Sequence, residues 1–391
     1  MRKIAFFCIP AHGHTNPTLG VVRELTSRGH EVTYYSYNCM REKIEASGAK
    51  FVSCDEFDHE QRLSPEDAVR VGKDLAFSTQ ILVDITLALD ASILADLQAN
   101  RPDCIVADSM AVWGKAAAFK LGIPFVSSTT TFAFNRHSAK VMKQDIGALF
   151  GMIFSMPKIN RQVKRLQKAG YPVKSVLDLL QNDDNTHTVV YTSPQFQPFA
   201  ETFSDKYAFV GPSVRNAAGE IEKTREKLVY ISLGTVNNAN LPFYRACVEA
   251  FTGTDVQVIL SVGGLTDIGT LGELPDNIAA YSHVDQIAVL QKADVFLSHC
   301  GMNSASESLY FGVPLVMYPQ TPEQGGVASR VLELGAGRML EAADAGTVRR
   351  TVLAVMDDAG CRENAAAIGE GFRRCPGAAG AADKILSVCG D

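Results

Sequence analysis

The chain has 391 residues with 37 Lys and Arg against 43 Asp and Glu, a formal net charge of -6. That balance leaves no basic stripe for a phosphate polymer, so nucleic acid is not expected as a partner. A composition of 46% hydrophobic and 20% charged residues excludes a disordered chain, and the length exceeds one ordinary core, which points to two domains. Nine cysteines, an odd number with no C-x-x-C pair, are expected to be reduced thiols in a cytoplasmic protein. The opening "MRK" and the apolar run behind it imitate a secretory signal, but no small-residue cleavage site follows. No uncharged apolar run approaches ~18 residues, so no transmembrane segment is expected. The expected state is a monomer or weak dimer.

In chain order, strands are predicted at 3–9, 31–36, 104–107 and 124–127, then at 228–233, 256–261, 295–298 and 314–318. Between them the same punctuation recurs: "RELTSRGHEVTYY", "AAAFKLGIPFVSS", "SESLYFGVPLVMY" and "VLELGAGRML". In each, an apolar-periodic helix stops at a glycine able to take the left-handed conformation, and a β-rich run begins a few residues on. This alternation predicts parallel sheets with helices on both faces, an α/β class. Residues 130–185 read as helix-rich. The polar stretch 212–227, "PSVRNAAGEIEKTREK", reads as a linker between an N-terminal domain at 1–211 and a C-terminal domain at 228–391, whose last helix is able to pack back on the first domain.

Four loops carry chemistry. Behind the first strand, "HGHTNP" places His12 and His14 in a loop, with Thr15 or Asn16 as helix N-cap and Pro17 in the first turn. "CIVAD" ends another strand at Asp108, a carboxylate able to fix an imidazole tautomer and stabilise its protonated form, as a general base requires. "VFLSHCGMNSASESLYFGVP" follows a strand with a turn of His299, Cys300, Gly301 and Met302. Asn303 and Ser304 then open a helix whose free N–H groups form an anion site. "VYISLGTVN" offers Ser232, Gly234 and Thr235 at the corresponding edge. Glu323 and Gln324 fall in a proline-rich loop, "YPQTPEQGGVASR", and suit paired sugar hydroxyls. The acidic group Asp55, Glu56, Asp58, His59 and Glu60 reads as a solvated loop, with a divalent-ion site as the alternative.

Taken in order, these pieces resemble the family 1 UDP-glycosyltransferases, in their bacterial macrolide-glycosyltransferase branch. The family's donor motif looks like "HCGxNSxxES…GVPxVxxP…EQ", and His299 through Gln324 reproduce it. "AHGHTNPTLGVVRELTSRGHEVTYY" is similar to the family's start. The resemblance implies a GT-B fold of two facing Rossmann-like domains with parallel sheets. It implies His14 as general base oriented by Asp108, with His12 structural. It also implies a diphosphate site of His299, Gly301, Asn303 and Ser304 assisted by Thr235, with Ser232, Gly234 and Met302 counted among the donor-binding residues. Glu307 would hold the ribose, and Glu323 and Gln324 the sugar. Where the family carries Trp-x-Pro-Gln, this chain has "HVDQ", so His283, Val284 and Gln286 stand at the base and a smaller imidazole replaces the indole. The implied reaction is an inverting transfer from a UDP-sugar, most simply UDP-glucose, to a small hydrophobic acceptor, with no metal and no further cofactor. Phe132, Phe134 and Phe150, with Met152 and Phe154, are the expected apolar acceptor wall. A nicotinamide dehydrogenase would need G-x-G-x-x-G after a strand, and none is present. A UDP-sugar epimerase or a non-catalytic binder would share the nucleotide site without acceptor turnover.

Overall fold

The computed structural model describes residues 1–55, 70, 74–135, 137, 146–175, 178, 182–235 and 237–390, with backbone alone at 75 and 146–154. The chain divides into two compact units, Met1–Ser213 with Cys375–Asp391, and Val214–Arg374.

The first unit holds a seven-stranded sheet. Its strands are β1 (Lys3–Phe7), β2 (Glu31–Ser36), β3 (Lys50–Ser53), β4 (Cys104–Asp108), β5 (Phe125–Thr129), β6 (His187–Val190) and β7 (Tyr207–Phe209), in the spatial order β3-β2-β1-β4-β5-β6-β7. Every pairing is parallel. The central strands are covered on both faces, which is why "CIVAD" is buried at all five positions and reads as a continuous apolar run rather than an alternation. One face packs on the helices Leu75–Ala99 and Val112–Leu121 through Leu89, Ile93, Trp113 and Ala117. The other packs on His12–Ser27 and on the last helix, Gly377–Val388, where Ala381, Ala382 and Ile385 share a core with Val21, Val22 and Leu25. An Arg28–Asp383 ion pair joins the same two helices at the surface.

The second unit repeats the plan with β8 (Lys227–Ser232), β9 (Val256–Ser261), β10 (Ile278–Tyr281), β11 (Val295–Ser298), β12 (Leu315–Met317) and β13 (Gly337–Met339), ordered β10-β9-β8-β11-β12-β13 and again all parallel. Several of its helices start on side-chain caps: Asn240 accepts from the Phe243 amide, Asp344 from Thr347 and Asp358 from Cys361. Residues from the polar stretch at 212–227 bind to this unit. Arg215 pairs with Asp285, Lys223 with Asp294, and the Gln257 side chain bonds to the backbone of Glu222 and Thr224.

Both sheets share one feature that matters for chemistry. Strand order reverses between β1 and β4, and again between β8 and β11, the Rossmann arrangement in which ligands bind beyond the carboxyl ends of the strands at the switch point. The eight predicted strands are all present. The short strands β3, β6, β7, β10 and β13 were not among them, since three or four residues carry too little alternation to stand out.

Candidate active site

At the first switch point the register sets the distances. β1 pairs with β4 so that Phe7 lies opposite Ala107, and β4 pairs with β5 so that Asp108 lies opposite Ser128. The loop after β1 therefore passes over the end of β4. His14 Nδ1 lies 2.8 Å from Asp108 Oδ2, with the carboxylate 1% exposed and the imidazole 22%. The other carboxylate oxygen, Oδ1, accepts from the Met110 amide at 2.9 Å, so Asp108 is held from both ends. An ionised carboxylate only accepts, so Nδ1 carries the proton and Nε2 of a neutral ring holds the lone pair. Thr130 Oγ1, just past the end of β5, lies 3.2 Å from the same Nδ1. Sequence reading missed Thr130. No stretch of sequence marks it, because which strand lies beside "CIVAD" is fixed only by the tertiary strand order.

The first helix begins earlier than predicted. It runs from His12 with Ala11 as N-cap and no side-chain cap, so His14 stands in the first helical turn rather than in a loop, and Pro17 lies inside the helix. Proline marks a helix start only within the first turn, where N–H groups lack partners anyway. Here it sits a turn later and gives no N–H to the Gly13 carbonyl. His12 is exposed, with Nδ1 3.3 Å from Lys43 Nζ, and is not joined to Asp108. Of the expected acceptor wall, Phe132 is 7% exposed and packs on Phe196, whereas Phe134 is 40% exposed. Phe150, Met152 and Phe154 lie outside the described residues in their side chains. Of the acidic group, Glu56, Asp58, His59 and Glu60 also lie outside the described residues.

The second switch point is built from two matching turns. Ser232 ends β8 and Ser298 ends β11, directly opposite each other. Each serine Oγ accepts from the amide two residues on, Gly234 at 3.2 Å and Cys300 at 3.1 Å, a local bond that turns the backbone out of the strand. Both turned residues have positive φ, +79° at Gly234 and +61° at Cys300. The His299 ring is wedged between two glycines. A Cβ on Gly234 would lie 2.5 Å from its Cε1, and one on Gly301 2.7 Å from its Nε2. Burial drives the His299 pKa down to about 4, against the Ser232 backbone, which raises it. The ring is therefore neutral at pH 7, and its buried Nδ1 makes no hydrogen bond among the described residues.

Gly301 is the N-cap of the helix Met302–Tyr310, so Met302 is its first residue and not part of the turn. Asn303 and Ser304 follow in the first turn, at the positive end of the helix dipole. Glu307 lies one turn further on. Its Oε2 accepts from Gln286 Nε2 at 2.6 Å, and Tyr230 donates to the Gln286 carbonyl at 3.4 Å. Burial pushes the Glu307 carboxyl above its ordinary range, and the Gln286 hydrogen bond opposes this. The helix Gln286–Leu290 is capped by Asp285. Burial works to raise the Asp285 carboxyl, but Arg215 and the amides of Ala218 and Ile287 outweigh it and hold it at about 2. His283 is exposed beside Gly264, and Val284 is half-buried.

Glu323 and Gln324 correct another expectation. They lie in the first turn of the helix Pro322–Glu333, not in a loop, because Thr321 caps the Gln324 amide and Pro322 takes the first helical position. The Gln324 carbonyl oxygen accepts from the Gln320 amide at 2.8 Å. The Thr-Pro-Glu-Gln order is itself a helix-start signature and was open to reading.

Residues 246–386 match the family described as "Erythromycin biosynthesis protein CIII-like, C-terminal domain". The chain is 32% identical to the "Uncharacterized UDP-glucosyltransferase YojK" of Bacillus subtilis, over 99% of this chain and 98% of that protein. It is also 32% identical to the demethyllactenocin mycarosyltransferase of Streptomyces fradiae, over 98% and 86% of the two chains. Among solved structures, the glycosyltransferase of kitacinnamycin superposes with a TM-score of 0.84 at 29% identity, covering 99% of this chain and 98% of that one. Identity sustained along nearly the whole length, on the same pair of parallel sheets, settles descent: the chain belongs to the family 1 glycosyltransferases of GT-B fold, in their bacterial macrolide branch.

Proposed function

We propose that the protein is an inverting, UDP-sugar-dependent glycosyltransferase that moves a hexose, glucose first among candidates, to a hydroxyl of a small hydrophobic acceptor of polyketide or flavonoid character. The observation that carries this reading is the 2.8 Å bond between His14 Nδ1 and Asp108, which leaves Nε2 as a base in a half-buried position. In the reaction, Nε2 takes the acceptor hydroxyl proton as that oxygen attacks the anomeric carbon, and the bond from carbon to the diphosphate oxygen breaks on the opposite face. Asp108 stabilises the imidazolium that results, and Thr130 helps hold the ring.

On the donor side, the amides at the start of the helix Met302–Tyr310, with Gly301, Asn303, Ser304 and Thr235, suit the diphosphate. His299, neutral because it is buried, acts there as a hydrogen-bonding group and not as a cation. Glu307 suits the ribose, His283 and Val284 the base, and Glu323 and Gln324 the sugar hydroxyls. Phe134, exposed at 40%, suits the acceptor better than buried Phe132. These donors hold a diphosphate without a metal ion, and we propose that none is needed. The names of the curated relatives, a UDP-glucosyltransferase and a mycarosyltransferase, support both the nucleotide donor and the natural-product acceptor. Nine cysteines outside any disulfide suit a reducing compartment, which supports the cytoplasm.

The test is a mass-spectrometric screen of UDP-glucose against a panel of hydroxylated hydrophobic compounds. An added hexose on at least one acceptor is expected. Turnover to free sugar or to an epimer, with no acceptor product across the panel, would refute the reading.

A further inference from the structure

The loop after β8 contains a buried amide that the reaction scheme does not use. Asn238 is 1% exposed. Its Nδ2 donates to the Gly234 carbonyl at 2.9 Å. Its own backbone carbonyl accepts from Thr266 Oγ1 at 2.8 Å and from the Asn240 amide at 2.9 Å. Gly263, at φ +76°, lies flat against the side chain, and a Cβ there would sit 2.1 Å from Nδ2. The amide is thus gripped between the loops that follow β8 and β9. Its Oδ1 is buried and makes no hydrogen bond among the described residues. A group kept only for packing would not leave a buried oxygen unpaired, since an apolar side chain of the same shape avoids that cost.

What the amide accomplishes follows from peptide geometry. The bond between Gly234 and Thr235 is planar and trans, so its carbonyl and its N–H point in opposite directions. Holding the Gly234 carbonyl toward Asn238 turns the Thr235 N–H away from Asn238. Gly234 has positive φ and no Cβ, and without that anchor its peptide plane would be free to rotate.

We infer that Asn238 is a positioning residue: it fixes the Gly234–Thr235 peptide so that the Thr235 N–H is aimed at the diphosphate of the donor. This rests on the proposed diphosphate site beyond β8 and β11. Asn238 touches no reacting atom. It acts through one backbone amide, so its effect belongs to the diphosphate and not to the nucleoside.

Calorimetric titration of uridine and UDP into the full-length protein, and into Asn238→Leu and Asn238→Ser, separates the two. Leu keeps the volume but carries no donor for the Gly234 carbonyl, and Ser is too short to reach it. The wild type should bind UDP more tightly than uridine. In both variants that ratio should fall by about tenfold, the worth of one well-placed hydrogen bond, with uridine affinity within about threefold of wild type. If either folded variant keeps the wild-type ratio, or loses uridine and UDP affinity equally, Asn238 is only a packing residue and the inference is overturned. If the wild type binds uridine and UDP alike, the diphosphate site itself is wrong and this assignment falls with it.

Discussion

Substituting Gly234 by Ala measures how tightly the donor-side turn is built. The new methyl would meet the His299 ring at 2.5 Å from Cε1 and 2.7 Å from Nε2, on a residue at φ +79°. The left-handed backbone costs a non-glycine residue roughly 1–2 kcal/mol. Overpacking a filled site adds roughly 1–3 kcal/mol. The sum is a loss of about 2–5 kcal/mol, against roughly 1–2 kcal/mol if the ring is first removed by His299→Ala, because only the backbone cost then remains. Gly301→Ala is the control. It has φ −58° and carries only the ring contact and the poorer cap that Ala makes. Hydrogen exchange of the β8 and β11 amides reports the opening free energy in each background. An equal loss from Gly234→Ala with and without the His299 ring would show that the wedge does not exist and that backbone strain alone makes glycine necessary.

His14→Ala should lower turnover by about 10²–10⁴ with UDP affinity unchanged, and Asp108→Asn by less, since it disturbs the orientation and charge of the ring without removing it; near-normal rates on an unactivated alcohol would remove His14 as base. For His299 the folded value of about 4 lies below the ordinary 6.5, so the unfolded chain takes a proton that the folded ring refuses. Stability should therefore fall as pH drops from about 6.5 to 4, by up to about 3 kcal/mol, and His299→Gln should remove that part of an unfolding profile measured against pH. Activity should survive exhaustive chelation; its loss, with rescue by a divalent ion, would revive the acidic group at 55–60 as a metal site.

Much of this protein is legible without a structure because its strongest signals are local. A buried parallel strand is a short apolar run, a helix end is a glycine, and the "HCGMNS" turn opens a helix within six residues. Each depends only on neighbours in the chain, so β1, β4, β8 and β11 and the residues at their carboxyl ends stood out. Where two local signs competed, the reading slipped. Pro17 drew the first helix boundary too late, and "TPEQ" passed for a loop although it is a capped first turn.

What only the tertiary structure decided is which distant ends meet. Thr130 reaches His14 across 116 residues because β5 lies beside β4. The His299 ring fills the space over Gly234 because β8 and β11 pair with Ser232 opposite Ser298. Nothing at position 234, 238 or 263 reveals those contacts. Strand order is set by how helices cover the two faces of a whole sheet, a balance over many buried side chains that no short stretch contains.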